Sequence, residues 1–487
     1  MGRLTGLSND NSEATSWTYQ DNGWLNTKTL GNGVVTTYTR DQQGRLRDLA
    51  NKTGGGATLS DFAVPATGGY DGTGNRLSVT ATVSNAPAAY SGTTSYAYDY
   101  SQTANPQLNR SQVTGETSTR GGSYTNAFGY DGGTAGGPGN PTSFKGATNT
   151  FNSDNQVTNT GYGYDGNGSP TTYKGAALTF DPENRLTAYA STQTDGCSAD
   201  DLRAWKQSST GRTYFLYDGD QPVCEFNGAG TLTATHTFGA DGLLSRRSVT
   251  GTPATTFYTF DEHGNVAQRL NGSAGVQSSD LYDSYGSRTG TVSQPDPWGY
   301  EAQAGYYADV ETGLLLLMHR FYDPSTGRFL TRDPIGYGGG INLYGYTGNN
   351  PVNREDPDGT LAPNPAPVLE VIEGVAEDSV EVGIGIVGVG VGVGVGVGVL
   401  IGVGILIIGA GPAGPRNEYG PEHYDGAEHT STKNGKKNKG KHERKRPGAP
   451  EDKDERMTCP PPKKKGGKAM GPPKEPKPPM RDKGPKQ

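Results

Sequence analysis

Between residues 15 and 290 apolar and polar positions alternate in short runs, and each run ends in turn formers. A recurring unit carries aromatics at positions i and i+2, then Asp, two or three residues, Gly, and Asn or Arg before Leu. Copies include Tyr38-Thr-Arg-Asp-Gln-Gln-Gly-Arg-Leu46, Tyr70-Asp-Gly-Thr-Gly-Asn-Arg-Leu77, Tyr162-Gly-Tyr-Asp-Gly-Asn-Gly168 and Leu178-Thr-Phe-Asp-Pro-Glu-Asn-Arg-Leu186. Residues two apart share one face of a strand, so each aromatic pair predicts a strand with one buried side. The Asp-x-x-Gly that follows predicts a turn in which Asp caps its own backbone and Gly takes positive φ. Helical periodicity is missing before residue 360, with Ala199–Gln207 the one short helix candidate.

One such hairpin cannot bury its aromatic face alone, whereas stacked copies can. The copies recur at irregular intervals, from about sixteen to about forty residues, which excludes a fixed-period solenoid. With 76 Gly, 27 Tyr and only 31% hydrophobic residues, the composition favours strands and turns over a compact helical enzyme.

A dense segment closes this region. It runs from Arg320-Phe-Tyr-Asp-Pro-Ser-Thr-Gly-Arg-Phe-Leu-Thr-Arg-Asp-Pro-Ile-Gly336 through Asn342-Leu-Tyr-Gly-Tyr346 and Asn349-Asn-Pro-Val-Asn353 to Asp356-Pro-Asp-Gly359. Beyond it the composition changes. Residues 360–382 read as a linker, and Leu369–Val382 within it as a short acidic helix. Gly383–Gly409 is an uncharged Gly/Val/Ile run, longer than the roughly 20 apolar residues of a membrane span. It predicts a helical transmembrane segment, the alternative being a collapsed or β-aggregating low-complexity tract. Residues 410–487 predict a basic, Pro/Lys-rich disordered tail.

The net charge of −7 conceals a division. Residues 416–487 carry 20 Lys and Arg against 11 Asp and Glu, a net +9 on an otherwise acidic chain. The run Lys433–Arg446 suits non-specific contact with nucleic acid or anionic lipid, or simply a solvated tail. Glu418, His423, Asp425, Glu428 and His429 form the main acid–histidine cluster, without flanking elements to fix a metal or nuclease site. Cys197, Cys224 and Cys459 lack metal-ligand spacing; Cys197 and Cys224 read as unrelated thiols or as one pair. Neither cofactor nor metal is expected. No signal peptide opens the chain, and Trp17-Thr-Tyr-Gln-Asp21 already resembles a repeat unit, so either export uses another route or the reading frame begins mid-protein.

The repeats resemble the YD repeat of the RHS family, and Tyr307–Gly359 resembles the RHS repeat-associated core. Together the resemblance covers residues 15–359. It implies a mainly β fold: a β-hairpin ribbon over residues 1–295, forming a partial shell or solenoid, closed by a core plug over 296–359. It also implies a variable C-terminal segment as encapsulated cargo. In many family members the core is an intramolecular aspartyl protease that cuts after an Asp-Pro-x-Gly-Leu motif.

Carried onto this chain, the catalytic carboxylates are Asp333 and Asp356, with Arg332 in support, and the cut falls after Thr360. Two carboxylates sharing a proton can activate water and protonate a carbonyl. Thr360 stands where the pattern has Leu. The same Asp-Pro elements also read as turns closing the plug. Three functions are therefore expected: a secreted or surface toxin carrier with self-release, whose Gly383–Gly409 segment inserts into a membrane; a non-enzymatic surface adhesin binding carbohydrate or another cell; or an inactive truncated remnant.

Overall fold

A computed structural model describes residues 3–9, 11, 13–99, 110–131, 138–289 and 296–360. The chain divides into two units, residues 1–390 and 391–487, and every described residue lies in the first. The linker helix candidate, the transmembrane candidate Gly383–Gly409, the basic tail and the acid–histidine cluster lie outside the described residues. Among the described residues there is no α-helix, and no helix is long and apolar enough to cross a membrane.

Three antiparallel sheets account for the described strands. The first has twelve strands, β1 (Gly6–Ser8) through β12 (Ala147–Thr148). The second has thirteen, β13 (Gly163–Tyr164) through β25 (Val276–Ser279). The third has four: β26 (Tyr307–Asp309), β27 (Leu314–Leu317), β28 (Arg320–Asp323) and β29 (Arg328–Phe329). In each sheet the spatial order of strands is their order in the chain, so every pairing is made by a local connection.

The hairpin chemistry follows the sequence. Between β4 (Val35–Arg40) and β5 (Leu46–Lys52), Asp41 Oδ1 accepts the amides of Gln43 and Arg45 at 3.0 Å each. The Asp41 amide donates to Arg45 O, Gly44 donates to Asp41 O, and Gly44 sits at φ +83°. The pattern recurs at Asp71, Asp165, Asp181, Asp261 and Asp283, with Asn taking the Asp position at Asn152, Asn227 and Asn271. The pairing register slips between Thr39 and Arg40, the bulge expected beside a turn of this length. Alternation then sorts the faces: along β7 (Ser78–Val83), Val79, Ala81 and Val83 are buried while Thr80 and Thr82 are exposed.

One expected element is corrected. Ala199–Gln207 is a turn followed by strand β18 (Arg203–Ser208), paired on both sides by β17 (Gln193–Cys197) and β19 (Gly211–Asp218). Buried ion pairs outweigh its local helix preference: Arg203 Nη1 lies 2.6 Å from Asp309 Oδ2 and Lys206 Nζ 3.2 Å from Asp309 Oδ1. Cys197 and Cys224 are free thiols.

The third sheet is buried on both faces. Leu314 and Leu316 join a cluster with Tyr173, Leu243, Tyr258 and Phe260 of the second sheet. Leu315 and Leu317 join Tyr98, Val113, Phe128 and Phe144 of the first. The period-two pleat thus sends alternate leucines of one strand to different ribbons. The ribbons also meet directly. Trp17, Tyr38 and Phe62 pack with Leu244, Phe257 and Leu270, and the buried Lys28 Nζ lies 2.6 Å from Asp241 Oδ2.

Candidate self-cleavage site

The site grows from Arg320 at the head of β28. Its side chain is 2% exposed, and the guanidinium lies 3.6 Å from the centroid of the Phe329 ring on the neighbouring strand. A buried guanidinium must spend its N–H groups on acceptors. Nε donates to Gly359 O and Nη1 to Leu343 O at 3.2 Å. Nη2 reaches two carboxylates, Asp333 Oδ2 at 2.9 Å and Asp356 Oδ2 at 3.4 Å. Burial pulls Arg320 down to about 10, against the raising effect of both aspartates.

Asp333 is held by its own turn. Its amide donates to Leu343 O at 2.8 Å, and Oδ1 accepts the Ile335 amide at 3.0 Å. Burial raises its pKa above the ordinary aspartate value, opposed by Arg320 and the Ile335 amide. Asp356 is fully buried. Its amide donates to the Tyr306 hydroxyl at 2.7 Å, while Oδ1 accepts the amide of Thr360 at 3.1 Å. Gly359, between them, sits at φ +67°, and a Cβ there would lie 2.4 Å from Leu317 O. That turn brings the Thr360 amide onto the Asp356 carboxylate. Among the described residues no group of three or more His, Cys, Asp or Glu is arranged to hold a metal ion.

No family model matches the chain. The chain is 35% identical over 154 residues to the tRNA3(Ser)-specific nuclease WapA of Bacillus spizizenii, covering 30% of this chain and 6% of that protein. It is 55% identical over 56 residues to double-stranded DNA deaminase toxin A of Burkholderia cenocepacia, and 44% over 59 residues to toxin protein Tse5 of Pseudomonas aeruginosa; each match covers 12% of this chain and 4% of the relative. In fold it is similar to the TcdB2–TccC3–Cdc42 crystal structure, with TM-score 0.56 and 20% identity over 74% of this chain and 20% of that one. The Photorhabdus luminescens Tc holotoxin pore matches with TM-score 0.56 and 19% identity, over 76% of this chain and 21% of that one. The chain is thus similar in fold to these Tc toxin structures and, over shorter stretches, in sequence to these nuclease and toxin proteins.

The chain spans only a small part of the length of these relatives. Of the residues expected at its site, Asp333 and Asp356 come together on one guanidinium and Arg332 does not join them. Arg332 is one-third exposed and reaches toward Asp154 Oδ2 at 4.0 Å. Successive residues of an extended chain point to opposite sides, so the neighbour of Asp333 is turned away from it. Arg320 stands in its place. The available signal was an arginine heading the run Arg320-Phe-Tyr-Asp323 in a segment otherwise rich in buried apolar residues.

Proposed function

We propose that this RHS-repeat chain is the carrier portion of a toxin delivered outside the producing cell, and that its core cuts the chain after Thr360 to free the C-terminal segment as cargo. The observation that supports this is the seating of Thr360. Its amide is held by Asp356, and a single Cβ placed on Gly339 would lie 2.3 Å from Asp333 Oδ2 and 3.2 Å from Thr360 O, so the carbonyl and the second carboxylate border the same small space. Two of the relatives are toxins by name and one a nuclease, which supports the carrier reading.

The reaction is a hydrolysis. Water adds to the Thr360 carbonyl carbon, the bond to the Leu361 nitrogen breaks, Thr360 gains a carboxylate and Leu361 a free amine. Asp333, whose pKa burial raises, is the member suited to carry a proton toward the carbonyl oxygen. Asp356 holds the Thr360 amide, and Arg320 fixes both carboxylates. Arg320 also supplies positive charge within a buried site, where such charge acts most strongly.

Purified protein on a denaturing gel, with N-terminal sequencing of the smaller band, tests this. A fragment beginning at Leu361, lost in Asp333→Asn and in Asp356→Asn, is the expected result. A full-length band from the unaltered chain overturns it.

A further inference from the structure

The run Gly336-Tyr-Gly-Gly-Gly340 lies over the site, and its glycines serve different purposes. Gly336 at φ +63° and Gly340 at φ +127° occupy backbone conformations that side chains disfavour. Gly338 and Gly339 carry no such φ. A Cβ on Gly338 would make ordinary contacts with Ile335 at 3.6 Å and 3.9 Å. A Cβ on Gly339 would lie 2.3 Å from Asp333 Oδ2, 2.8 Å from Asp333 Cγ and 3.2 Å from Thr360 O. Space, and not backbone conformation, demands glycine at 339. The loop is otherwise lightly packed, with Ile335, Tyr337 and Ile341 all more than half exposed.

We infer that Gly339 is a positioning residue, a bare stretch of backbone against which the Thr360 carbonyl and the Asp333 carboxylate are brought to one point. This rests on the self-cleavage reading above. A methyl group at 339 separates the two, and small displacements of reacting groups carry large rate penalties. Gly338, one residue away and facing Ile335, shares the loop without touching either group.

The test compares Gly339→Ala with Gly338→Ala in the full chain by pulse-labelling, across a range of pH, with melting temperature measured for both. Gly339→Ala is expected to slow appearance of the Leu361 fragment by about a hundredfold and to shift its pH profile through Asp333, while Gly338→Ala matches the unaltered chain. A cleaving chain in which all three rates are equal overturns it. A second arm is independent of self-cleavage. In the uncleaved Asp356→Asn background, an added protease that cuts before leucine reports how firmly Thr360 is seated. Faster cutting at Leu361 in Gly339→Ala than in Gly338→Ala, reversed when Asp333→Ala restores the space, supports the seat even if the unaltered chain never cleaves. Unchanged cutting overturns the seat. A chain that never cleaves but shows the protease difference removes the self-cleavage reading alone.

Discussion

The repeat ribbons and the third sheet are built from the same strand-and-turn vocabulary, yet they are buried differently. Along β2 (Ala14–Tyr19) Thr15 and Trp17 are buried and Ser16 and Thr18 exposed, the signature of a sheet with one wet face. Along β27 and β28 every residue is buried, while Met318 and His319 of the intervening turn are half-buried. A strand enclosed on both faces must give any charge it carries a charged or polar partner, as buried Arg328 of β29 finds Asn140 Oδ1 and Asn155 O. The consequence is visible at Arg320 with Asp333 and Asp356, and at Asp309 with Arg203 and Lys206. The ribbon leaves one face to solvent; the enclosed sheet gives each of its charged side chains a charged or polar partner.

The widest gap between the two regions should appear when a charge partner is removed. Asp309→Ala strips the carboxylate that buried Arg203 and Lys206 share and should cost about 3–5 kcal/mol in denaturant unfolding. A loss under about 1 kcal/mol would mean that enclosure is not what sets the requirement. Next comes glycine. Gly359→Ala drives a methyl into Leu317 O, whereas Gly74 at φ +94° has open space around it. Gly359→Ala should therefore cost about 3 kcal/mol, combining overpacking with backbone strain, and Gly74→Ala about 1 kcal/mol from strain alone. Equal melting shifts would break the comparison.

Titration sharpens it further. Glu116, on ribbon strand β9 (Val113–Ser118), accepts the Ser284 amide and hydroxyl, and burial together with Asp283 raises it to about 7. Burial and Glu262 raise Asp261 to about 7 as well. In the unfolded chain such acids titrate near 4. Between roughly pH 4 and 7 the folded state therefore holds more protons, and stability falls as pH rises. The melting temperature should be higher at pH 5 than at pH 8, and Glu116→Gln should narrow that difference. A steeper dependence in the variant contradicts the assignment. The smallest effect belongs to the ribbon surface: Glu183, exposed and 3.4 Å from Arg185, should lose no more than about 0.5 kcal/mol on mutation to Ala, by thermal melting.

Much of the fold is legible because its signals are local. The Asp-x-x-Gly turns and the aromatic alternation each act within a few residues, and the turns at Asp41, Asp71 and Asp261 form as their sequences predict. The helix candidate at Ala199–Gln207 fails because Arg203 and Lys206 answer to Asp309, a hundred positions away in the sense that matters: a partner on another sheet. The division into two ribbons is hidden for a related reason. The bridge from Phe151 to Val157 closes on the same kind of turn, at Asn152, that elsewhere joins strands within a sheet. At the site, Asp333 and Asp356 stand out through their Asp-Pro motifs. Arg320 does not, since its partners lie on two later turns and only the folded chain brings them together. The Leu314–Leu317 run announces burial, but its division between two ribbons is set by what packs on either side.

Because neighbours in each sheet are neighbours in the chain, the ribbon is a structure that can be assembled in order. Each hairpin needs only the strand made just before it, so loop-closure costs stay small and rapid, stepwise folding is favoured. The same wiring makes length negotiable. A pair of strands gained or lost leaves the pairing of all others unchanged, and the ribbon can lengthen or shorten over evolutionary time without a new fold being invented.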